Sequence, residues 1–206
     1  MPALTLYVDS NFISPYAMAC FVALTEKNLL FELKPIDIDA GEHLQPQYRD
    51  LALTGRVPML VHGDLVLNES SAIVEYLEDA FVAPQHARVL PADALMRAKA
   101  REVMAWIRSD LLALRSERST VVVFIKPTDM PLTAEGQGAA SRLIRIAERL
   151  IDGEHLFGEW SIADMDLAVM LSRLVNNGDP VPDKLANYAR AQWQRPSVKA
   201  WLALRR

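Results

Sequence analysis

The chain is poor in the residues that most often announce a chemistry. Its 206 residues include one cysteine, Cys20, which excludes an internal disulfide framework and suits a reducing compartment. The longest apolar runs, such as residues 121–125, fall far short of the roughly 20 residues that cross a bilayer. The start, Met1-Pro2-Ala3-Leu4, lacks the charged and apolar segments of a signal peptide, so a cytoplasmic location is expected. No excess of positive charge is present: 22 basic against 26 acidic side chains give a net charge of -4, which argues against nucleic acid or an anionic membrane as partner. The histidines His43, His62, His86 and His155 stand apart, without metal-ligand spacing, so no metal is expected. A Gly-x-Ser-x-Gly elbow and a Walker loop are both missing, and Gly136-Gln137-Gly138 does not follow a strand as a dinucleotide fingerprint must.

What is present is periodicity of two kinds. Leu4, Leu6 and Val8 alternate with Thr5 and Tyr7, the repeat of a half-buried strand. Pro15 then suits the first position of a helix, and Tyr16, Ala19, Cys20, Ala23 and Leu24 form a stripe that predicts a helix ending near Asn28. Residues 31–38 alternate again, and after a polar stretch residues 59–61 and 65–67 flank His62-Gly63-Asp64 as a hairpin. Ile73, Val74, Leu77 and Phe81 mark a helix after Asn68-Glu69-Ser70-Ser71. A β-α-β unit followed by a β-β-α unit makes a small mixed sheet with helices packed on it.

Residues 83–91, with two prolines, read as a linker. Beyond it the pattern is helical almost throughout. Met104, Ile107, Leu111 and Leu114 predict one helix over 95–118, and Leu143, Ile144, Ala147, Leu150 and Ile151 another after Thr133. Ser161-Ile162-Ala163-Asp164 has the form of a capping box, and Leu167, Met170, Leu171 and Leu174 make the helix it opens fully buried. Residues 120–125 are β-branched and apolar and fit no element. The expected architecture is α/β plus all-α, with one domain over 1–82 and a helical one over 92–206.

Three places invite chemistry, each with a plain structural alternative. Ser14 lies where a strand hands over to a helix N-terminus, so its hydroxyl meets converging N–H groups and positive potential; it also reads as an ordinary N-cap. The proline of Val57-Pro58 opens a strand; a cis bond there would turn the Val57 backbone outward, and an ordinary edge-strand start is the alternative. Glu69-Ser70 enters the next helix, a ready carboxylate site or a simple cap. Cys20 lies about 9 Å along its helix, too far for the N-terminal dipole to activate it, and is assigned to the core.

Taken together these segments resemble the soluble glutathione transferase family over nearly the whole chain, with the flavour of a bacterial serine-type enzyme related to the zeta, theta and tau classes. Ser14-Pro15-Tyr16 resembles the catalytic serine motif, and Thr54-Gly55-Arg56-Val57-Pro58 the loop into a cis-proline. Glu69-Ser70-Ser71-Ala72-Ile73 is similar to the glutathione-anchoring acid–serine pair, and residues 158–164 to the folding signature of the helical domain. The resemblance implies a thioredoxin-like N-terminal domain that binds glutathione as co-substrate, an all-helical C-terminal domain shaping a pocket for a small hydrophobic electrophile or hydroperoxide, and a homodimer. It assigns Ser14 to the glutathione sulfur and the Val57 backbone to the cysteinyl unit. Glu69 falls to the γ-glutamyl ammonium, Ser70 to its carboxylate, and Arg56 and His43 to the glycyl end. His43 departs from the usual Gln or Lys. Trp106, Arg108, Ser109 and residues 121–124 are candidate walls of the second pocket. A non-catalytic module of the same fold and a glutathione-dependent isomerase or lyase are the alternative readings.

Overall fold

The computed structural model describes residues 3–205, which form two compact units. The first comprises the chain up to Val89 together with the residues from Pro196 on; the second is Leu90–Arg195.

In the first unit, strands β1 (Leu4–Asp9), β2 (Phe31–Ile36), β3 (Met59–His62) and β4 (Leu65–Asn68) build one sheet in the order β2-β1-β3-β4. β2 runs parallel to β1, while β3 is antiparallel to both β1 and β4. The β1 alternation buries Leu4, Leu6 and Val8 as its spacing requires. β2 stops at Ile36, short of residue 38, where Asp37 turns away and donates its backbone N–H to the Glu42 carboxylate at 2.8 Å. The hairpin is tighter than the spacing indicates: His62 pairs with Leu65, leaving Gly63-Asp64 as a two-residue turn with Gly63 at φ +60°. The polar stretch is not wholly irregular, since a 3₁₀ turn (Glu42–Leu44) and a short helix α2 (Pro46–Arg49) lie in it.

Helix α1 (Pro15–Glu26) buries every residue from Ala17 to Leu24, more than its stripe foretells. It packs against β1, α3 (Ser70–Ala80) and the last helix, α10 (Pro196–Leu202), so no side of its centre faces water. Ala17, Ala19, Cys20 and Ala23 are small enough to permit such close approach. Trp201 of α10 is fully buried, edge-on to Phe12 and tilted against Phe21. For that reason the last helix packs with the sheet unit, and Leu90–Arg195 forms the other compact unit.

The second unit holds α4 (Ala94–Ser109), α5 (Leu112–Glu117), α6 (Thr120–Phe124), α7 (Ala134–Leu150), α8 (Ile162–Val175) and α9 (Asp183–Gln192). The continuous helix expected over 95–118 breaks at Leu111, which sits at φ +60°. Asp110 anchors the break by accepting from the Leu111 N–H at 2.7 Å and the Trp106 indole at 3.2 Å, and by pairing with Arg142. Residues 120–124 are helical despite their β-branching: Ser119 caps Val121, and Val122, Val123 and Phe124 are buried, so packing overrides propensity. α8 is the core helix, buried from Ile162 to Leu174. The Asp164 carboxylate accepts from the Ser161 N–H, the Leu156 N–H and the Tyr188 hydroxyl, closing the capping box and tying two further segments to it.

Candidate active site

The sheet register decides where the sequence-predicted residues meet. Tyr7 pairs with Met59, and Met59 with Asn68, so the C-terminal ends of β1 and β4 and the start of β3 lie at one end of the sheet. The parallel partner β2 ends there too, since Ile36 is paired with Asp9. The segments leaving that end carry Ser14, His43, Arg56, Val57, Glu69 and Ser70, and the N-termini of α1 and α3 rise from it.

Ser14 is the N-cap of α1, its Oγ accepting from the Ala17 N–H at 3.2 Å. Its carbonyl takes the Met18 N–H at 3.0 Å, and its own N–H donates to the Asp9 carboxylate at 3.1 Å. The Ser14 N–H, carbonyl and Oγ are thus each engaged within the described structure, and the hydroxyl proton is left to donate. The plain cap and a donor role do not compete, because the cap uses a lone pair and leaves the O–H to give.

The loop before β3 is held by two residues that spacing did not single out. The Tyr48 hydroxyl donates to the Arg56 carbonyl at 2.7 Å, and burial pushes that phenol well above its ordinary range. Asn68, also buried, donates its amide to the Arg56 and Pro58 carbonyls, each at 3.2 Å, and accepts the Leu53 N–H at 2.8 Å. Asn68 therefore ties the 53–58 loop to the residues that open α3. Val57-Pro58 is cis, and Val57 precedes the paired residues of β3, half-buried against Tyr48 and Met59. Arg56 is exposed; its role in this arrangement is played by its carbonyl.

Glu69 adopts φ +67°, ψ +113°, a conformation that costs a non-glycine residue about 1–3 kcal/mol, while its side chain is exposed and makes no cap bond. Ser70, the first residue of α3, is buried, and its carbonyl accepts a long contact of 3.9 Å from the Cys20 thiol. Cys20 lies fully buried, in keeping with a core role. His43 is half-buried in the 3₁₀ turn, with Nδ1 enclosed and without a partner among the described residues.

Asp9 is a further residue that sequence reasoning passed over. It ends β1, is buried, and accepts from the Ile13 N–H at 2.7 Å as well as from Ser14. Burial raises its carboxyl above the ordinary value and Asp39 adds to this, while the N–H groups of the turn oppose it. A carboxylate five residues before a cap serine was the available signal.

In the second unit, Trp106 lines a 440 Å³ cavity with Glu102, Val103, Ile146, Arg149 and Leu150. Arg108 pairs with buried Asp166 at 3.1 Å, and Val122, Val123 and Phe124 are buried. No group of three or more His, Cys, Asp or Glu residues able to hold a metal occurs among the described residues, nor does any helix there have the length and apolarity to cross a membrane.

A four-stranded mixed sheet with α1 and α3 over it, feeding its functional loops from one end, is a thioredoxin-like unit, here combined with an all-helical one. Residues 13–80 match the family model for the glutathione S-transferase N-terminal domain, and residues 93–206 that for the C-terminal domain. The chain belongs to the glutathione S-transferase family. It is 30% identical to glutathione S-transferase 3 of Zea mays, over 92% of this chain and 83% of that one. A glutathione S-transferase of Hyoscyamus muticus is likewise 30% identical, with 93% and 88% covered. Among solved structures, a glutathione transferase homolog from Burkholderia gl BGR1 with bound glutathione is 42% identical, with a TM-score of 0.80 over 98% of this chain and 96% of that one.

Proposed function

We propose that the chain binds glutathione on the loops at the shared sheet end, ionises its thiol through Ser14, and transfers the thiolate to small hydrophobic electrophiles. The observation that carries this reading is the state of Ser14: fixed on every side, with a hydroxyl proton left to donate. The glutathione bound in the Burkholderia relative supports the ligand.

The energetics close without a catalytic base. A free thiol near pKa 8.5 is only about 3% ionised at pH 7. Lowering it by roughly two units requires about 2.7 kcal/mol of preference for the thiolate. One hydrogen bond to a charged group supplies about 1.5–3 kcal/mol. The α1 terminus could add a few tenths to about 1 kcal/mol, yet the Asp9 carboxylate already occupies two N–H groups there, so the serine carries most of the burden. Ionisation gains at most about thirtyfold at pH 7, and the remainder comes from holding the electrophile beside the sulfur.

In the same reading the Val57 backbone, left outside the ladder, pairs with the cysteinyl unit. Glu69 and Ser70 take the γ-glutamyl end at the start of α3, where backbone N–H groups favour a carboxylate. Arg56 and His43 lie on the segments assigned to the glycyl end. The same thiolate can reduce an organic hydroperoxide: two glutathiones give up two electrons, and alcohol, water and glutathione disulfide leave. Detoxification in the cytoplasm as a homodimer completes the proposal.

The test is turnover of chlorodinitrobenzene and cumene hydroperoxide with glutathione, beside thermal shift with glutathione alone. Turnover that falls in Ser14→Ala while glutathione still stabilises the protein is the expected result. Stabilisation without turnover of any electrophile favours a binding module, and the absence of both stabilisation and turnover overturns the proposal.

A further inference from the structure

We infer that Asp9 is a positioning residue for the reaction at Ser14, an inference that rests on the reading of Ser14 just given. Asp9 is the last residue of β1, buried in the sheet end. Its carbonyl accepts the Phe12 N–H at 3.0 Å, one carboxylate oxygen the Ile13 N–H at 2.7 Å, and the other the Ser14 N–H at 3.1 Å. One residue therefore receives three consecutive N–H groups of the loop that carries the serine.

That arrangement demands a carboxylate. Two donors converge on two different oxygens of one side chain, and only an ionised carboxylate offers an acceptor to each. An asparagine presents one oxygen and turns an amide N–H toward the other donor. The charge is kept in a place where burial opposes it and where Asp39, held by Asn11, opposes it further.

The consequence falls on the serine hydroxyl. With the Ser14 N–H fixed to Asp9, its carbonyl to Met18 and its Oγ lone pair to Ala17, the position of Oγ relative to the sheet end is set by the backbone, and the O–H turns about that point. Hydrogen-bond strength falls steeply with misalignment, so a small rotation of this loop would cost thiolate stabilisation while leaving the rest of the glutathione contacts in place.

A double-mutant cycle tests this on the full chain, with kcat and KM for glutathione as readouts. Asp9→Asn is expected to lower kcat about tenfold with KM changed less than about twofold, because the defect lies in the sulfur's partner and not in the peptide anchors. In a Ser14→Ala background the same change is expected to cost under about twofold, since there is no hydroxyl left to aim. Effects that multiply across the cycle, or an Asp9→Asn enzyme at wild-type rate, overturn the inference. A Ser14→Ala enzyme at wild-type rate overturns the reading beneath it, whatever Asp9→Asn does. Should Asp9→Asn not yield folded protein, Asp9→Ser takes its place in the cycle, judged by the same two comparisons.

Discussion

The proposed function gives the one oxygen of Ser14 a second task beside its cap, and the two can be separated by measurement. Its lone pair closes the first turn of α1, and the cap does not consume its proton. Ser14→Ala is therefore expected to lose about 1 kcal/mol of stability, as cap deletions do, seen as a lower Tm without ligand. Independently, the pKa of bound glutathione should rise by about 1–2 units, read from thiolate absorbance against pH. A fall in Tm with an unmoved thiol titration would reduce Ser14 to a cap. At this scale the candidate residues Ser14, Val57, Glu69 and Ser70 were legible in the sequence because each begins or borders an element. Asp9, Tyr48 and Asn68 do not, because they act on backbone atoms of other segments. Asn68 reaches Leu53, Arg56 and Pro58, a relation that only the β3–β4 pairing creates.

Among the elements, two glycines of α7 make opposite predictions two residues apart. A Cβ on Gly138 meets nothing, so Gly138→Ala should stabilise by about 0.5–1 kcal/mol through helix propensity. A Cβ on Gly136 would lie 2.3 Å from the Glu117 carboxylate, which accepts both the Thr133 N–H and its hydroxyl. Gly136→Ala should lower Tm, since Glu117 must leave the α7 entrance and those two bonds go with it. A thermal melt of the pair checks the signs, and two stabilised variants would show that Glu117 is dispensable. The element pattern itself was readable wherever a face was half-buried, as in β1. It misled where burial is complete or forced from elsewhere. The α4–α5 break at Leu111 carries no Gly or Pro, and the β-branched residues 120–124 fit no element until Val122, Val123 and Phe124 are seen buried in a short helix.

For the whole molecule, acid behaviour is set partly by one buried ion pair. Burial pushes Asp166 up to about 6 despite Arg108 beside it. Between pH 4 and 6 the folded chain thus holds a proton that the unfolded chain has released, and stability falls as pH rises through that window. This contribution is present in full below the unfolded value and is lost above about 6, a swing on the order of 3 kcal/mol. Asp166→Asn should lack it, so denaturant melts from pH 4 to 7 are expected to show the variant gaining on the wild type as pH rises. Parallel curves would refute the shift.

The burial of Trp201 against Phe12 and Phe21 has a temporal consequence. Trp201→Ala should cost about 3–5 kcal/mol, and because Phe12 lies two residues before Ser14, turnover should drop with it in melts and assays of the full chain. In chain order the sheet and its serine loop precede Leu90–Arg195, and the indole that packs against Phe12 follows it. The first unit is consequently discontinuous in sequence, and the loop that carries Ser14 waits for Trp201, translated after the whole of Leu90–Arg195, to complete its packing.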